Sequence, residues 1–334
     1  MTAAACLGAL DAKSVLLQAS RHPLAHVAAQ GLSDAAVDPS EPLVLAVSGG
    51  GDSMAMLVLL AAIRVRTDPS LTSLTAVSID HGIRTDNAAE AAFARDAARA
   101  LGLASSEVIA VDVPRDGNLL DAARHTRLRV FSEFARARGV AKVALAHQAD
   151  DRAEGLLLGL SRGGGLDGLA SLRATRTLDC GMTLVRPLLR ARRAELRAFL
   201  DCVGLPWRED PSNALRARGS MRSDPSLAEL VDRIAAGAGI ALDEASALAD
   251  FRDQHVNCAV PSGRTSIPRA VYNDAPRPLR IAILTRLALN AGTSIPRAAL
   301  EQCARLSAED RQPRVFDCGQ GHTLRIDART VTAD

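Results

Sequence analysis

Lysine is almost missing from this 334-residue chain: of 40 basic residues, all but Lys13 and Lys142 are arginine. The planar guanidinium suits phosphate contacts, but a chain-wide preference is partly compositional and argues weakly by itself. The formal net charge is only +2, which excludes a chain that is polyanion-binding over its whole surface, so any such face has to be local. No Cys-x-x-Cys pair occurs among the six scattered cysteines, Cys6, Cys180, Cys202, Cys258, Cys303 and Cys318. That spacing excludes a zinc-ribbon grouping and fits a reduced, cytoplasmic setting. No uninterrupted apolar run of about 18 residues is present, which argues against a membrane-spanning helix. Asp11 interrupts the Ala/Leu-rich beginning and no basic segment precedes it, which argues against secretion. Residues 1–40 are expected to form a peripheral helix or a frayed extension. A Gly-Lys-Ser/Thr ending and a dinucleotide glycine fingerprint are also lacking, so neither a common P-loop phosphohydrolase nor a hydride-transfer enzyme is favoured.

What is present is an anion loop of another kind. The apolar run Leu43-Val44-Leu45-Ala46-Val47 leads directly into Ser48-Gly49-Gly50-Gly51-Asp52-Ser53, followed by the apolar Met54-Ala55-Met56-Leu57-Val58-Leu59-Leu60. A strand, a turn free of Cβ atoms and a buried helix N-terminus together make a phosphate cradle, with the Ser48 and Ser53 hydroxyls as donors.

Downstream the chain alternates. Strands are expected at 74–79, 107–113 and 142–146, and helices at 88–101, ended by Gly102, and at 119–138, ended by Gly139. That rhythm predicts an α/β fold with a parallel sheet covered on both faces and ligands beyond the strands' carboxyl ends. The glycine-rich stretch 159–169 is expected as an adaptable loop over the site. From about 226 the pattern becomes helical, at 227–238, 240–251 and 277–290, with a short strand-rich end. The domain reading is therefore an extension at 1–40, a catalytic domain at 41–225 and a smaller, mainly helical accessory region at 226–334.

Three further groups carry chemistry. Asp80-His81-Gly82-Ile83-Arg84 closes the second strand, where His81 orients a loop and Arg84 is placed to meet phosphate. His147, Asp150, Asp151 and Glu154 follow the fourth strand; if a helix starts near His147 they share one face. Three acids so close persist only where a cation, an amine or solvent compensates them, which points to magnesium or a cationic substrate. Between 184 and 222, Arg186, Arg190, Arg192, Arg193, Arg197, Arg208, Arg216, Arg218 and Arg222 outnumber the acids, a local basic patch suited to phosphate. Trp207 lies within it, as a stacking ring or a core aromatic, and Arg218 and Arg222 are spaced to share a helix face.

With these motifs in order, the chain resembles the ATP-pyrophosphatase loop (PP-loop) enzymes, and most closely the bacterial tRNA(Ile)-lysidine synthetases. The match rests on Ser48 to Ser53, on Asp80 to Arg84, on His147 with Asp150, Asp151 and Glu154, and on Glu209-Asp210-Pro211-Ser212-Asn213 with Arg218 and Arg222. The resemblance implies a PP-loop nucleotide-binding domain and a cytoplasmic enzyme that uses ATP, Mg2+ and free L-lysine. Its implied partner is tRNA(Ile) with a CAU anticodon, whose wobble cytidine is adenylated and then displaced by the lysine amine. It also allows a homodimer. It implies catalytic roles for Asp52, Asp150, Asp151, Glu154 and His147, and ATP binding by Ser48, Gly49, Gly50, Gly51, Asp52, Ser53, His81 and Arg84. Substrate contacts fall to Asp150, Glu154, Trp207, Asn213, Arg218 and Arg222, and metal to Asp52 and Asp151. Gly155, where the family has threonine, and Gly219-Ser220, where it has asparagine and a further polar or basic residue, depart from the pattern. A tRNA thiolase or an amide-forming ATP-pyrophosphatase is the alternative of the same superfamily.

Overall fold

The computed structural model describes residues 11–82, 87–113, 119–170, 172–178, 180–209, 217–306, 310, 312–319 and 321–334. The chain leads into the sheet through two helices, α1 (Ala12–Arg21) and α2 (Pro23–Asp34). His22 ends the first and caps the second: its Nδ1 accepts from Leu24 N at 3.2 Å, and Pro23 takes the first helical position, where its missing N–H costs nothing. Val15, Leu16, Ala19, Leu24, Ala28 and Leu32 lie in the main hydrophobic cluster, so this segment is packed helix and not frayed chain.

The alternation expected from sequence then unfolds as β1 (Leu43–Ala46), α3 (Gly51–Arg64), β2 (Leu74–Asp80), α4 (Asn87–Ala100), β3 (Ser105–Ala110), α5 (Leu119–Ala137), β4 (Lys142–Ala144), α6 (Ala149–Ser161), α7 (Leu166–Leu169), β5 (Thr175–Thr177) and β6 (Thr183–Val185). These six strands form one sheet in the order β3-β2-β1-β4-β6-β5. All neighbouring pairs are parallel except β5 with β6. Side-chain alternation divides each strand between two cores. Leu43, Leu45, Leu74, Ala76, Ala144 and Val185 join the cluster beneath α1, α2 and α3. Val44, Val77, Val143 and Leu184 face the opposite cluster with Phe131 and Phe134 of α5.

Strand order reverses direction between β1 and β4, which opens a crevice at their carboxyl ends. The glycine loop follows β1 and His147 follows β4, so topology brings the two motifs together.

The structure corrects two expectations and adds two strands. β3 begins at Ser105 and ends at Ala110, because the polar Ser105 and Ser106 pair with Thr75 and Ala76 of β2, an interaction that alternation cannot reveal. β5 and β6, three residues each, were not anticipated, being too short for a period. The stretch 159–169 is not a loose loop: Gly159 lies inside α6 and Gly168 inside α7. A Cβ on Gly159 would stand 2.6 Å from the Gly168 Cα, a contact backbone cannot relieve by rotamer change. Gly159→Ala is therefore expected to destabilise the protein by about 1–3 kcal/mol, measurable by urea denaturation at neutral pH.

The chain continues as α8 (Arg193–Val203), α9 (Ala217–Ser223), α10 (Pro225–Gly237) and α11 (Gly239–Ala259). Contacts divide it into two compact units, 1–243 and 244–334. The second unit adds β7 (Ser266–Pro268), α12 (Arg269–Asp274), α13 (Arg277–Asn290), α14 (Arg297–Ala304), β8 (Arg314–Gly319), β9 (His322–Ile326) and β10 (Thr330–Ala333). Its antiparallel sheet runs β7-β10-β9-β8, which includes the expected strand-rich end. It has its own core around Tyr272, whose hydroxyl donates to Cys303 O at 2.7 Å. Among the described residues no helix is long and apolar enough to cross a membrane.

Candidate active site

The loop after β1 is held open by its own backbone and by the segment that follows α8. Gly49 has φ +85°, a conformation that favours glycine. A Cβ on Gly51 would press to 3.3 Å against the Trp207 ring. Arg208 N donates to Gly49 O at 2.9 Å, and Gly50 and Arg208 form a parallel bridge. Ser53 is buried and clasps the turn: its hydroxyl donates to Gly50 O at 2.9 Å and accepts from Ser48 N at 3.1 Å. The two serine hydroxyls lie 3.1 Å apart. Ser53 thus shapes the loop, while the exposed Ser48 stands at its mouth. Gly50 caps α3 without a side-chain acceptor, so the first-turn N–H groups are not capped by that residue, and the helix dipole favours an anion there.

Beyond β4, the helix starts two residues later than the shared-face reading assumed. Gln148 is the N-cap of α6: its Oε1 accepts from Asp150 N and Asp151 N, and Asp151 Oδ2 accepts from Gln148 N at 3.2 Å. This reciprocal box fixes Asp151 in the first turn. His147 precedes the cap and stands outside the helix, so Asp150, Asp151 and Glu154 are carried by α6 and His147 by the strand end.

The acids are compensated by arginines of the chain itself. Asp150 accepts from Arg192 Nε at 3.3 Å, Arg192 Nη2 at 3.1 Å and Arg193 N at 2.9 Å. Glu154, fully buried, accepts from Arg222 Nε at 2.7 Å, Arg222 Nη2 at 2.9 Å and Arg193 Nη2 at 3.2 Å. Asp151 Oδ1 lies 3.3 Å from Arg193 Nη2 and 3.5 Å from Arg222 Nη2. The fork geometry of arginine makes such pairing of buried carboxylates effective. Burial pushes the Asp150 carboxyl up, but the Arg192 hydrogen bond, the Arg193 backbone and both guanidinium charges outweigh it and hold it below the usual range. Arg192 is driven up in turn, chiefly by its hydrogen bond to Asp150.

Asp52 is the exception. Its carboxyl, in the first turn of α3, is pushed up to about 6 by burial and by the charge of Asp151. Its ion pair with Arg193 Nε is long, at 4.0 Å, and the charges of Arg193 and Arg197 with a Gln148 hydrogen bond offset only part of the rise. Asp52 therefore stands short of positive charge, facing the charge of Asp151 beside an anion cradle. Hard oxygen donors of this kind fit a divalent cation such as magnesium.

The remaining predicted residues fall as follows. His147 accepts through Nδ1 from Arg186 Nε at 3.2 Å. His81 lies at the end of β2, beside a turn in which Gly82 N donates to Asp80 Oδ1 at 3.0 Å. Trp207 is half-buried against the main core and the glycine loop. Arg84 and Asn213 lie outside the described residues, as does the Arg218 side chain. Sequence reasoning missed Gln148 as the cap, although a polar residue three before Asp151 is the usual signal. Of the arginines read from sequence as a basic patch suited to phosphate, Arg186 meets His147, and Arg192, Arg193 and Arg222 meet acids.

An anion loop and an acidic helix N-terminus facing a sheet's switch point define the PP-loop class, and the PP-loop domain family matches residues 22–223. A U34-tRNA thiolase from Methanococcus maripaludis, solved with its [4Fe-4S] cluster, shares the fold with TM-score 0.52 at 14% identity over 68% of this chain and 77% of that one. The chain belongs to the tRNA(Ile)-lysidine synthase family: it is 34% identical to the synthase of Novosphingobium aromaticivorans over 78% of its own length and 80% of that protein. It is 44% identical to the synthase of Ruegeria pomeroyi over 52% of its own length, spanning 41% of that longer relative.

Proposed function

We propose that this chain ligates L-lysine to C2 of the wobble cytidine in the CAU anticodon of tRNA(Ile), consuming ATP and releasing AMP and diphosphate. The observation that carries the reading is the charge-deficient carboxylate of Asp52, facing Asp151 beside an anion loop, in a chain of this family. In the first step the cytidine O2 attacks the α-phosphorus, and pyrophosphate leaves into the loop from Ser48 to Ser53 and the α3 N-terminus. Adenylation turns a poor leaving oxygen into a good one. In the second step the lysine ε-amine attacks C2 and AMP departs. The protein's part is chiefly positioning and charge stabilisation. Asp52 and Asp151 would hold magnesium, which when bound neutralises phosphate charge. Asp150 and Glu154 are saturated by guanidinium contacts, so a lysine ammonium reaching either carboxylate exchanges for Arg192 or Arg222. The reading places catalysis in residues 41–225, gives residues 226–334 an accessory role toward tRNA, and fits a cytoplasmic enzyme.

The test is incubation of a tRNA(Ile) transcript bearing CAU with purified protein, ATP, magnesium and isotopically labelled lysine, followed by nucleoside mass analysis. Label at the wobble cytidine is the expected result. Pyrophosphate release without lysine incorporation, or turnover without RNA, would reject this substrate assignment.

A further inference from the structure

We propose that Arg186 is a positioning residue that holds His147 as its neutral, Nε2-protonated tautomer, making the ring a hydrogen-bond donor toward an anionic substrate oxygen. The substrate half of this statement rests on the function proposed above; the tautomer half does not.

Arg186 follows β6, the parallel neighbour of β4, and His147 follows β4, so adjacent strand ends bring the two side chains together. Arg186 is 6% exposed and tethered on three sides. Its backbone N donates to Ala174 O at 2.9 Å, its Nη1 to Arg173 O at 2.7 Å, and its Nε to His147 Nδ1 at 3.2 Å. A guanidinium has five N–H donors and no lone pair to offer. The Nε to Nδ1 contact therefore requires an unprotonated Nδ1, and a neutral ring must then carry its proton on Nε2.

Charge acts in the same direction. Burial, then Arg176 and Arg124, lower Arg186 to about 10, which still leaves it cationic at neutral pH. An imidazolium facing that cation would place two N–H donors head to head. A neutral Nε2–H donor suits adenylation, in which the O2–P bond forms and the P–O bond to pyrophosphate breaks. It stabilises phosphoryl-oxygen charge without surrendering a proton.

The experiment is a long-range 1H–15N correlation spectrum of the full chain labelled with 15N-histidine, recorded at neutral pH without ATP or tRNA. Loss of signals in His147→Asn assigns the ring. Wild type should show an unprotonated Nδ1 and a protonated Nε2. Arg186→Met should give a mixed or reversed tautomer and slow tRNA-dependent pyrophosphate release by at least about tenfold, with KM for ATP little changed. Arg186→Lys, which keeps a donor facing Nδ1, should keep the tautomer and restore most of the rate. A wild-type ring protonated on Nδ1 or on both nitrogens overturns the proposal even if Arg186→Met fails to fold. An unchanged ring in a folded Arg186→Met does the same. Because the tautomer is read without substrate, a chain that fails to modify tRNA(Ile) defeats the functional reading and leaves this one to be decided separately.

Discussion

Replacing Asp52 by asparagine is expected to abolish pyrophosphate release, by at least about a hundredfold, while making the folded protein more stable at pH 7. The unfolded carboxyl titrates near 3.8 and the folded one near 6, so the native state binds this proton more tightly than the unfolded chain does. Between those values stability falls as pH rises, and well above 6 the full penalty of the half-buried, like-charge-facing carboxylate is present. Its size is about 3 kcal/mol by linkage, and part of it, on the order of 1–2 kcal/mol after the long Arg193 contact is lost, should return in Asp52→Asn. The advantage should shrink as pH is lowered from 6 towards 4, where Asp52 is protonated in the folded protein and begins to take up its proton in the unfolded chain as well. Urea denaturation of both proteins across pH 4.5 to 8 measures this. A variant no more stable than wild type at pH 7 would mean that Asp52 is already compensated, and the case for a cation at this pair would go with it.

The opposite change, Arg193→Met, should cost about 3–5 kcal/mol at neutral pH. Arg193 is shared: its side chain lies 3.3 Å from Asp151, 3.2 Å from Glu154 and 4.0 Å from Asp52. Removing it leaves Glu154 with Arg222 and deprives Asp52 of its Arg193 contact. The loss should diminish on acidification, as carboxylates that have lost their cation take up protons. Magnesium should raise the melting temperature of Arg193→Met more than that of wild type, because the acids freed by the substitution compete for a divalent ion. A destabilisation below about 1 kcal/mol, comparable to an exposed ion pair, would place the compensation of this cluster elsewhere.

The two predictions differ in sign because burial acts on two kinds of carboxylate within one crevice. Glu154 is fully buried and doubly paired by guanidiniums, so it belongs to the framework. Asp52 is half-buried without adequate pairing, which is the usual condition of a group kept for a ligand.

What the sequence by itself determined is local. Val44 and Leu45 before three glycines, an apolar helix behind them, and Asp150, Asp151 and Glu154 on one short stretch are readable because strand alternation, glycine turns and helix starts are decided within a few residues. The β/α rhythm likewise announces a parallel sheet, and hence which chain ends face the ligand. Tertiary structure alone decided which cations meet which acids: Arg192 reaches Asp150 across 42 residues and Arg222 reaches Glu154 across 68. A run of arginines between 184 and 222 reads the same whether it faces solvent, RNA or a buried carboxylate. Only the docking of α8 and α9 near the N-terminal part of α6 distinguishes these, because long-range charge pairing depends on where the backbone carries each flexible side chain and leaves no period in the sequence. The same holds for Arg186 and His147, which meet because β4 and β6 are neighbours in the sheet, a pairing that two three-residue strands are too short to announce.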